Sequence, residues 1–187
     1  MALGDPYISV EQLKAHANVQ DVDDDGYLET LVKAVSRSIE RHTGRQFNDA
    51  GSVSARKFRA SHPYRLDVDD FSTETGLIVS AESRTFTDLT LEPLNGVVGG
   101  VTGWPFDRIV SQSSGFPSTV DVTARWGWAE VPDDVYQAAL IQAARIFGRR
   151  YSTNGIVGQG DFVFRVSLKM DPDVAMMLEP YRRPQVA

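Results

Sequence analysis

The stretch Val135–Phe147 constrains the fold more than any other part of the chain. Val135, Tyr136, Ala138, Ala139, Leu140, Ile141, Ala143, Ala144, Ile146 and Phe147 spread apolar groups over nearly every side of a helix. Only Gln137, Gln142 and Arg145 interrupt them. A helix without a polar face has nothing to offer solvent, so it must lie among other helices, and its alanines let neighbouring backbones come close. Pro132 suits the first turn, where its missing N–H costs nothing, and Asp133 and Asp134 complement the positive end of the helix dipole. Arg149 and Arg150 do the same for the negative end. The helix is expected at the centre of a helical part, with Tyr136, Leu140, Ala143 and Phe147 also a lateral packing surface towards a neighbouring subunit.

The partners of that helix are legible on both sides of it. Ser9-Val10-Glu11-Gln12 has the form of a capping box, which predicts a short helix to about Ala17. Leu28, Leu31, Val32, Val35 and Ile39 recur at helical spacing and predict a longer helix ending at His42 and Gly44. From about Gly51 the period becomes two. Val120, Val122, Ala124, Trp126 and Trp128 alternate with polar residues across Thr119–Trp128, the clearest strand. Weaker strands are expected at Ala55–Ala60, Tyr64–Val68, Leu77–Ser80, Thr85–Leu91 and Arg108–Gln112, punctuated at Asn95-Gly96, Gly99-Gly100 and Phe116-Pro117. After the central helix, the glycine-rich run Asn154–Gly160 leads into Phe162, Phe164, Val166 and Leu168, a strand pattern on an arm. Asp171-Pro172 then starts a short helix carrying Val174, Met177 and Leu178 and stopped at Pro180.

The expected fold is therefore α+β: a helical bundle of N-terminal helices, the long buried helix and a short C-terminal helix, with an inserted small antiparallel β module and a C-terminal extended arm. The boundaries read as 1–50 for the N-terminal helical part, 51–128 for the β module and 129–187 for the C-terminal helical part. The arm spans 151–169, and 1–50 with 129–187 form one helical domain.

Composition narrows the function. The chain has no cysteine, which removes disulfide scaffolds, thiol nucleophiles and thiolate metal sites. Its net charge is −6. A protein that grips nucleic acid draws most of its affinity from neutralising phosphates, so this acidic chain is not built to grip it. It could still surround nucleic acid, since a negative wall repels phosphates and lets them slide. No run approaches the roughly 18 apolar residues of a membrane span, and the N-terminus lacks the pattern of a signal peptide. The expectation is a soluble protein made in the cytoplasm.

The motifs that might carry chemistry fall short of it. Asp21, Asp23, Asp25 and Gly26 spell the opening of an EF-hand loop, yet the twelfth position, which needs a bidentate glutamate, is Val32. An acidic helix start explains the same residues. His16, His42 and His62 lie in unrelated segments without ligand spacing. Gly155, Gly158 and Gly160 are not followed by Gly-Lys-Ser/Thr, and they precede a strand where a phosphate loop precedes a helix. No nucleophile elbow or zinc-binding helix motif is present, and the pairs Asp69-Asp70 and Asp133-Asp134 read as a turn and a helix start. Trp126 and Trp128 share a face with Val120 and Val122, which predicts core packing. No catalytic, cofactor or metal residue is assigned, and no enzyme is expected.

Beyond this point the chain resembles a known family. Arg125-Trp126-Gly127-Trp128, then Val131-Pro132-Asp133-Asp134-Val135, then Ala138-Ala139-Leu140 through Arg149-Arg150, is similar to the head–tail connector (head-completion adaptor) family of tailed phages, of the actinophage-like kind. So are Gly155-Ile156-Val157-Gly158, Asp171-Pro172-Asp173-Val174 and Leu178-Glu179-Pro180-Tyr181-Arg182-Arg183. The N-terminal half agrees more loosely, at Ile8–Leu13 and Arg41–Phe47. The resemblance implies a structural virion protein of the neck, made in the host cytoplasm. It implies a homo-oligomeric, twelve-fold ring that joins the portal protein of the DNA-filled capsid to the next neck or tail protein, a stopper or tail terminator. Genomic DNA would pass through the ring without sequence-specific binding, and no membrane is involved. Asn154, Gly155, Ile156, Val157, Phe162, Phe164, Arg165, Val166 and Leu168 are the residues expected to dock on a neighbouring subunit or the portal, ordering only on assembly. The competing readings are a tail-completion or stopper protein of the same neck, and a non-enzymatic binding module using the β insertion.

Overall fold

The computed structural model describes residues 3–20, 22–149, 156–157, 164–165 and 170–183. Two compact units emerge from it: Gln46–Glu130 with Met1–Gly4, and Asp5–Arg45 with Val131–Ala187.

The second unit is helical. Helix α1 (Val10–Ala17) opens on the capping box: the Ser9 hydroxyl accepts from the Gln12 amide, and the Gln12 side chain accepts from the Ser9 amide at 2.7 Å. Its end is a left-handed Asn18. Helix α2 (Asp25–Thr43) buries Leu28, Leu31, Val32, Val35 and Ile39, the face that the spacing predicts, and Gly44 closes it at φ 69°. Helix α3 (Asp133–Arg149) packs against α1, α2 and helix α4 (Pro172–Leu178). Val135, Ala138, Ala139 and Ala143 on α3 are fully enclosed. The small side chains explain how one helix can touch three others, since alanine lets axes approach closely. Asp171 caps α4 by accepting from the Asp173 amide at 3.0 Å, and Pro180 lies in a 3-10 turn, Glu179–Tyr181, that follows it.

The first unit is all antiparallel β. Its strands are β1 (Ser54–Arg59), β2 (Arg65–Phe71), β3 (Ile78–Ala81), β4 (Arg84–Phe86), β5 (Leu89–Glu92), β6 (Val97–Val98), β7 (Val101–Thr102), β8 (Phe106–Ser111) and β9 (Thr119–Ala124). They form a four-stranded sheet in the order β1-β9-β3-β4 and a three-stranded sheet in the order β2-β8-β5, with β6 and β7 a separate ribbon. In the larger sheet Ser54 lies opposite Ala124 and Ser80 opposite Asp121. A bridge between Phe71 and Trp126 ties β2 to the chain after β9. Leu66, Val68, Phe71, Val79, Phe86, Ile109, Val120, Val122, Ala124 and Trp126 fill one core between the sheets.

Among the described residues of the arm, Ile156–Val157 (β10) and Phe164–Arg165 (β11) pair antiparallel, Ile156 opposite Arg165 and Val157 opposite Phe164. The architecture is mixed α+β with antiparallel sheets.

Two strand expectations need correction. Thr85–Leu91 is two strands in two sheets, because alternation reports which side chains are buried and cannot report which neighbour each strand chooses. Thr119–Trp128 leaves the β9 ladder after Ala124: Trp126 makes a single bridge, to Phe71 of the other sheet, and Gly127 at φ 100° turns the chain away. The turn expected at Gly99-Gly100 is present: both glycines adopt positive φ, as a two-residue hairpin turn requires, and the flanking β6–β7 ribbon adds strands to it.

Candidate functional site

The residues that carry the family resemblance build three internal locks. The first surrounds Arg125-Trp126-Gly127-Trp128. The Arg125 guanidinium grips Asp49 with both arms, Nε donating to Oδ1 at 2.8 Å and Nη2 to Oδ2. Asp49 Oδ1 also accepts from the Gly51 amide at 2.9 Å. The arginine hydrogen bonds hold the Asp49 carboxyl below its usual range, and the same pairing raises Arg125. Trp126 donates from Nε1 to the Ser54 carbonyl at 2.8 Å, and the Arg56 guanidinium lies 4.7 Å from its ring centroid. Trp128 donates from Nε1 to Oδ2 of the buried Asp70 at 2.8 Å, and its ring meets Phe47 at 5.2 Å and Trp104 at 5.1 Å. Gly127 passes so close to the Asn48 carbonyl that a β-carbon would lie 1.7 Å from its oxygen. A larger residue cannot occupy that position.

The second lock joins the end of α2 to the C-terminal segment. Arg45 Nε donates to the Tyr181 carbonyl at 2.8 Å, and the Arg183 amide donates to the Thr43 carbonyl at 2.8 Å. The Tyr181 hydroxyl donates to Asp134 Oδ2 at 3.2 Å, at the start of α3. Burial first, and then the Asp134 charge, pushes the Tyr181 phenol up to about 12. The third lock fixes the start of α4, where Asp171 takes an ion pair from Arg145 and its amide donates to Gln142 Oε1 at 3.3 Å. Thus two of the three polar residues that interrupt the apolar surface of α3, Gln142 and Arg145, anchor the next helix.

The sequence-predicted surface residues fare differently. On α3, Leu140, Ala143 and Phe147 are buried within the chain, while Tyr136 is half-buried. Phe147 meets Tyr27 with ring centroids 6.3 Å apart. Asn154, Gly155, Phe162, Val166 and Leu168 lie outside the described residues, and for Ile156, Val157, Phe164 and Arg165 the backbone pairing alone is described. Helix α2 begins at Asp25, so helix occupies the motif from its fifth position onward; Asp25 ion-pairs with Lys14 at 2.6 Å, and Asp21 lies outside the described residues. Among the described residues no group of three or more His, Asp or Glu is placed to hold a metal ion. No described helix is long and apolar enough to cross a membrane. A 580 Å³ surface depression lined by Asp49, Ser52, Thr73, Thr75 and Arg125 is polar, but its two charged groups neutralise each other.

The feature missed at the level of sequence is the β6–β7 ribbon. Val97, Val98 and Val101 are exposed on it, at 37%, 39% and 62%, and Leu94 just before it at 61%. The signal was available: no charged residue occurs from Pro93 to Phe106.

Residues 7–63 match the family model described as phage gp6-like head-tail connector protein. The resemblance to the head–tail connector family holds. The connector match spans α1, α2 and β1, whereas the motifs from Arg125 onward fall beyond it. No curated protein matches the sequence. Among solved structures, the neck of an empty GTA particle computed with C6 symmetry contains a chain of similar fold. Its TM-score is 0.60 at 17% identity, covering 97% of this chain and 92% of that one. The neck of the native GTA particle computed with C12 symmetry gives a TM-score of 0.54 at 16% identity, covering 100% of this chain and 98% of that one. The sequence match to the connector family covers residues 7–63, and the likeness to the neck chains, which runs along nearly the whole chain, is one of fold.

Proposed function

We propose that this chain is a structural protein of a phage-type virion neck, one subunit of the adaptor ring that joins the portal of the filled capsid to the tail. One observation carries the reading: a connector-family segment at 7–63 is embedded in a fold shared along nearly its whole length with neck proteins of GTA particles. The symmetry with which those necks were computed, C6 and C12, supports a ring of identical copies, with twelve as the expected number. In this reading 1–50 and 129–187 form one helical domain into which the β module 51–128 is inserted. The arm 151–169, with Asn154, Gly155, Ile156, Val157, Phe162, Phe164, Arg165, Val166 and Leu168, docks on a neighbour or the portal by adding a strand there. Tyr136, Leu140, Ala143 and Phe147 stand behind the lateral contact, Tyr136 meeting it and the other three supporting it from within. The ring lines a channel, and its acidity (−6 per copy) keeps passing DNA from sticking. The protein performs no catalysis.

Electron microscopy of the purified chain mixed with its portal protein tests this. Rings, or ring-shaped density beneath the portal, are the expected result. A chain that stays monomeric and leaves the portal bare would overturn the reading.

A further inference from the structure

We propose that the β6–β7 ribbon is a contact between copies of this chain, seated between two neighbours with one on each of its faces; the inference rests on the ring reading above. Val98 lies opposite Val101, and Val97 opposite Thr102. Since successive residues of a strand point to opposite faces, Val98 and Val101 occupy one face of the ribbon, and Val97 with Thr102 occupies the other. All three valines are exposed. An apolar group on each side of a two-stranded ribbon is not what a half-covered hairpin shows, where one face is polar. It calls for a cover on both sides.

The ribbon is built to be presented. Its base is fixed by the Trp104 amide donating to the Gly96 carbonyl at 3.0 Å and by the Gly96 amide donating to the Pro93 carbonyl at 3.0 Å. A β-carbon at Gly96 would meet the Trp104 carbonyl oxygen at 2.8 Å, so the two arms of the base are in direct contact. Trp104 in turn packs on Trp128, inside the first of the three locks. A short, uncharged, valine-rich ribbon left open is also a template for unwanted pairing, which proteins ordinarily blunt with charge. Here charge is missing from Pro93 to Phe106.

Charge also selects the occupant. Copies of an acidic chain repel one another, so the surface on which they meet should be neutral, as this ribbon is. A surface for nucleic acid would need lysine or arginine to neutralise phosphates, and the segment has neither. A closed ring gives each copy two neighbours, one per face.

Because the chain has no cysteine, single thiols report cleanly on each face. Val97→Cys and Val101→Cys, each checked for native circular dichroism, are labelled with a fluorescent maleimide. Labelling is measured in the dilute free chain and in rings formed with the portal or at high concentration. The expected result is labelling at least about 10-fold slower in rings at both positions, with each free chain as its own reference. Rings in which either thiol stays as reactive as in the free chain would overturn the two-sided contact and leave the neck reading intact. Failure to form rings under any of these conditions would overturn both.

Discussion

A β-carbon at position 127 would sit 1.7 Å from the Asn48 carbonyl oxygen, and the backbone there has φ 100°. Both faults act together: the side chain has no room, and the conformation is one that non-glycine residues adopt only with strain. Gly127→Ala is therefore expected to destabilise by about 3 kcal/mol or more, read by urea unfolding followed through tryptophan fluorescence. Gly99→Ala makes the control, since it has positive φ but open space around it, and should cost about 1 kcal/mol. Equal losses at the two positions would show that the Asn48 contact is irrelevant. Asp49 makes the second prediction at this scale. Its folded pKa is depressed, so the stability it contributes is present above the ordinary aspartate range near pH ~3.9 and is lost as pH falls through the lower folded value. Asp49→Asn should be less stable than the parent at pH 7, with the difference narrowing as the pH falls below the ordinary aspartate value. A difference independent of pH would assign the role to packing alone.

At the scale of elements, the second lock decides how the C-terminal segment is held. Tyr181 is one of six tyrosines, and its phenol is lifted to about 12 by burial and by Asp134. A raised folded pKa means that the folded chain keeps this proton after the unfolded chain has released it. The corresponding stability is present below about pH 10 and is lost as pH rises towards about 12. Alkaline absorbance titration should show a late phenol step that Tyr181→Phe removes, at a cost of about 1 kcal/mol, Asp134 being exposed enough to find water. A titration curve unchanged by the substitution would sink the assignment. The same scale shows what a sequence can announce. The α1 capping box, the α2 face from Leu28 to Ile39 and the inward face of β9 are local patterns of spacing and chemistry, and each sits where its pattern says. The break between β4 and β5 is not local: Phe86 and Leu89 serve the same core from different sheets, so the alternation runs on across the change of partner. The β6–β7 ribbon escapes periodicity for the opposite reason. Its valines are exposed on both faces, and a pattern search looks for one dry face and one wet. Arg125-Trp126-Gly127-Trp128 stands out in the sequence as a motif beyond the connector match at 7–63, and its physical role is not legible there, because Asn48, Asp49 and Asp70 come to it from far along the chain.

At the scale of the whole molecule, net charge sets how copies meet. Each copy carries −6, and the proposed ring would concentrate that charge on one small body. Repulsion between copies opposes closure, and it acts through solvent over the screening length, about 10 Å at 0.1 M salt and about 3 Å at 1 M. Contact through a neutral apolar ribbon is not weakened by screening, and apolar burial is if anything strengthened by excluded salts. The two effects point the same way. Raising sodium chloride from about 0.05 M to about 0.5 M, a span over which the screening length falls severalfold, should increase the fraction of chain sedimenting as rings at fixed protein concentration. An interface built from complementary ion pairs would respond in the opposite sense, since exposed pairs lose their small attraction as salt rises. Val98→Asp with Val101→Asp adds a discriminating arm: two new charges on one ribbon face place like against acidic neighbour, so this variant should assemble poorly in low salt and recover in part at high salt. Sedimentation velocity of both chains across the salt series separates the cases, and rings that dissolve as salt rises would move the contact between copies away from the ribbon and onto oppositely charged surfaces.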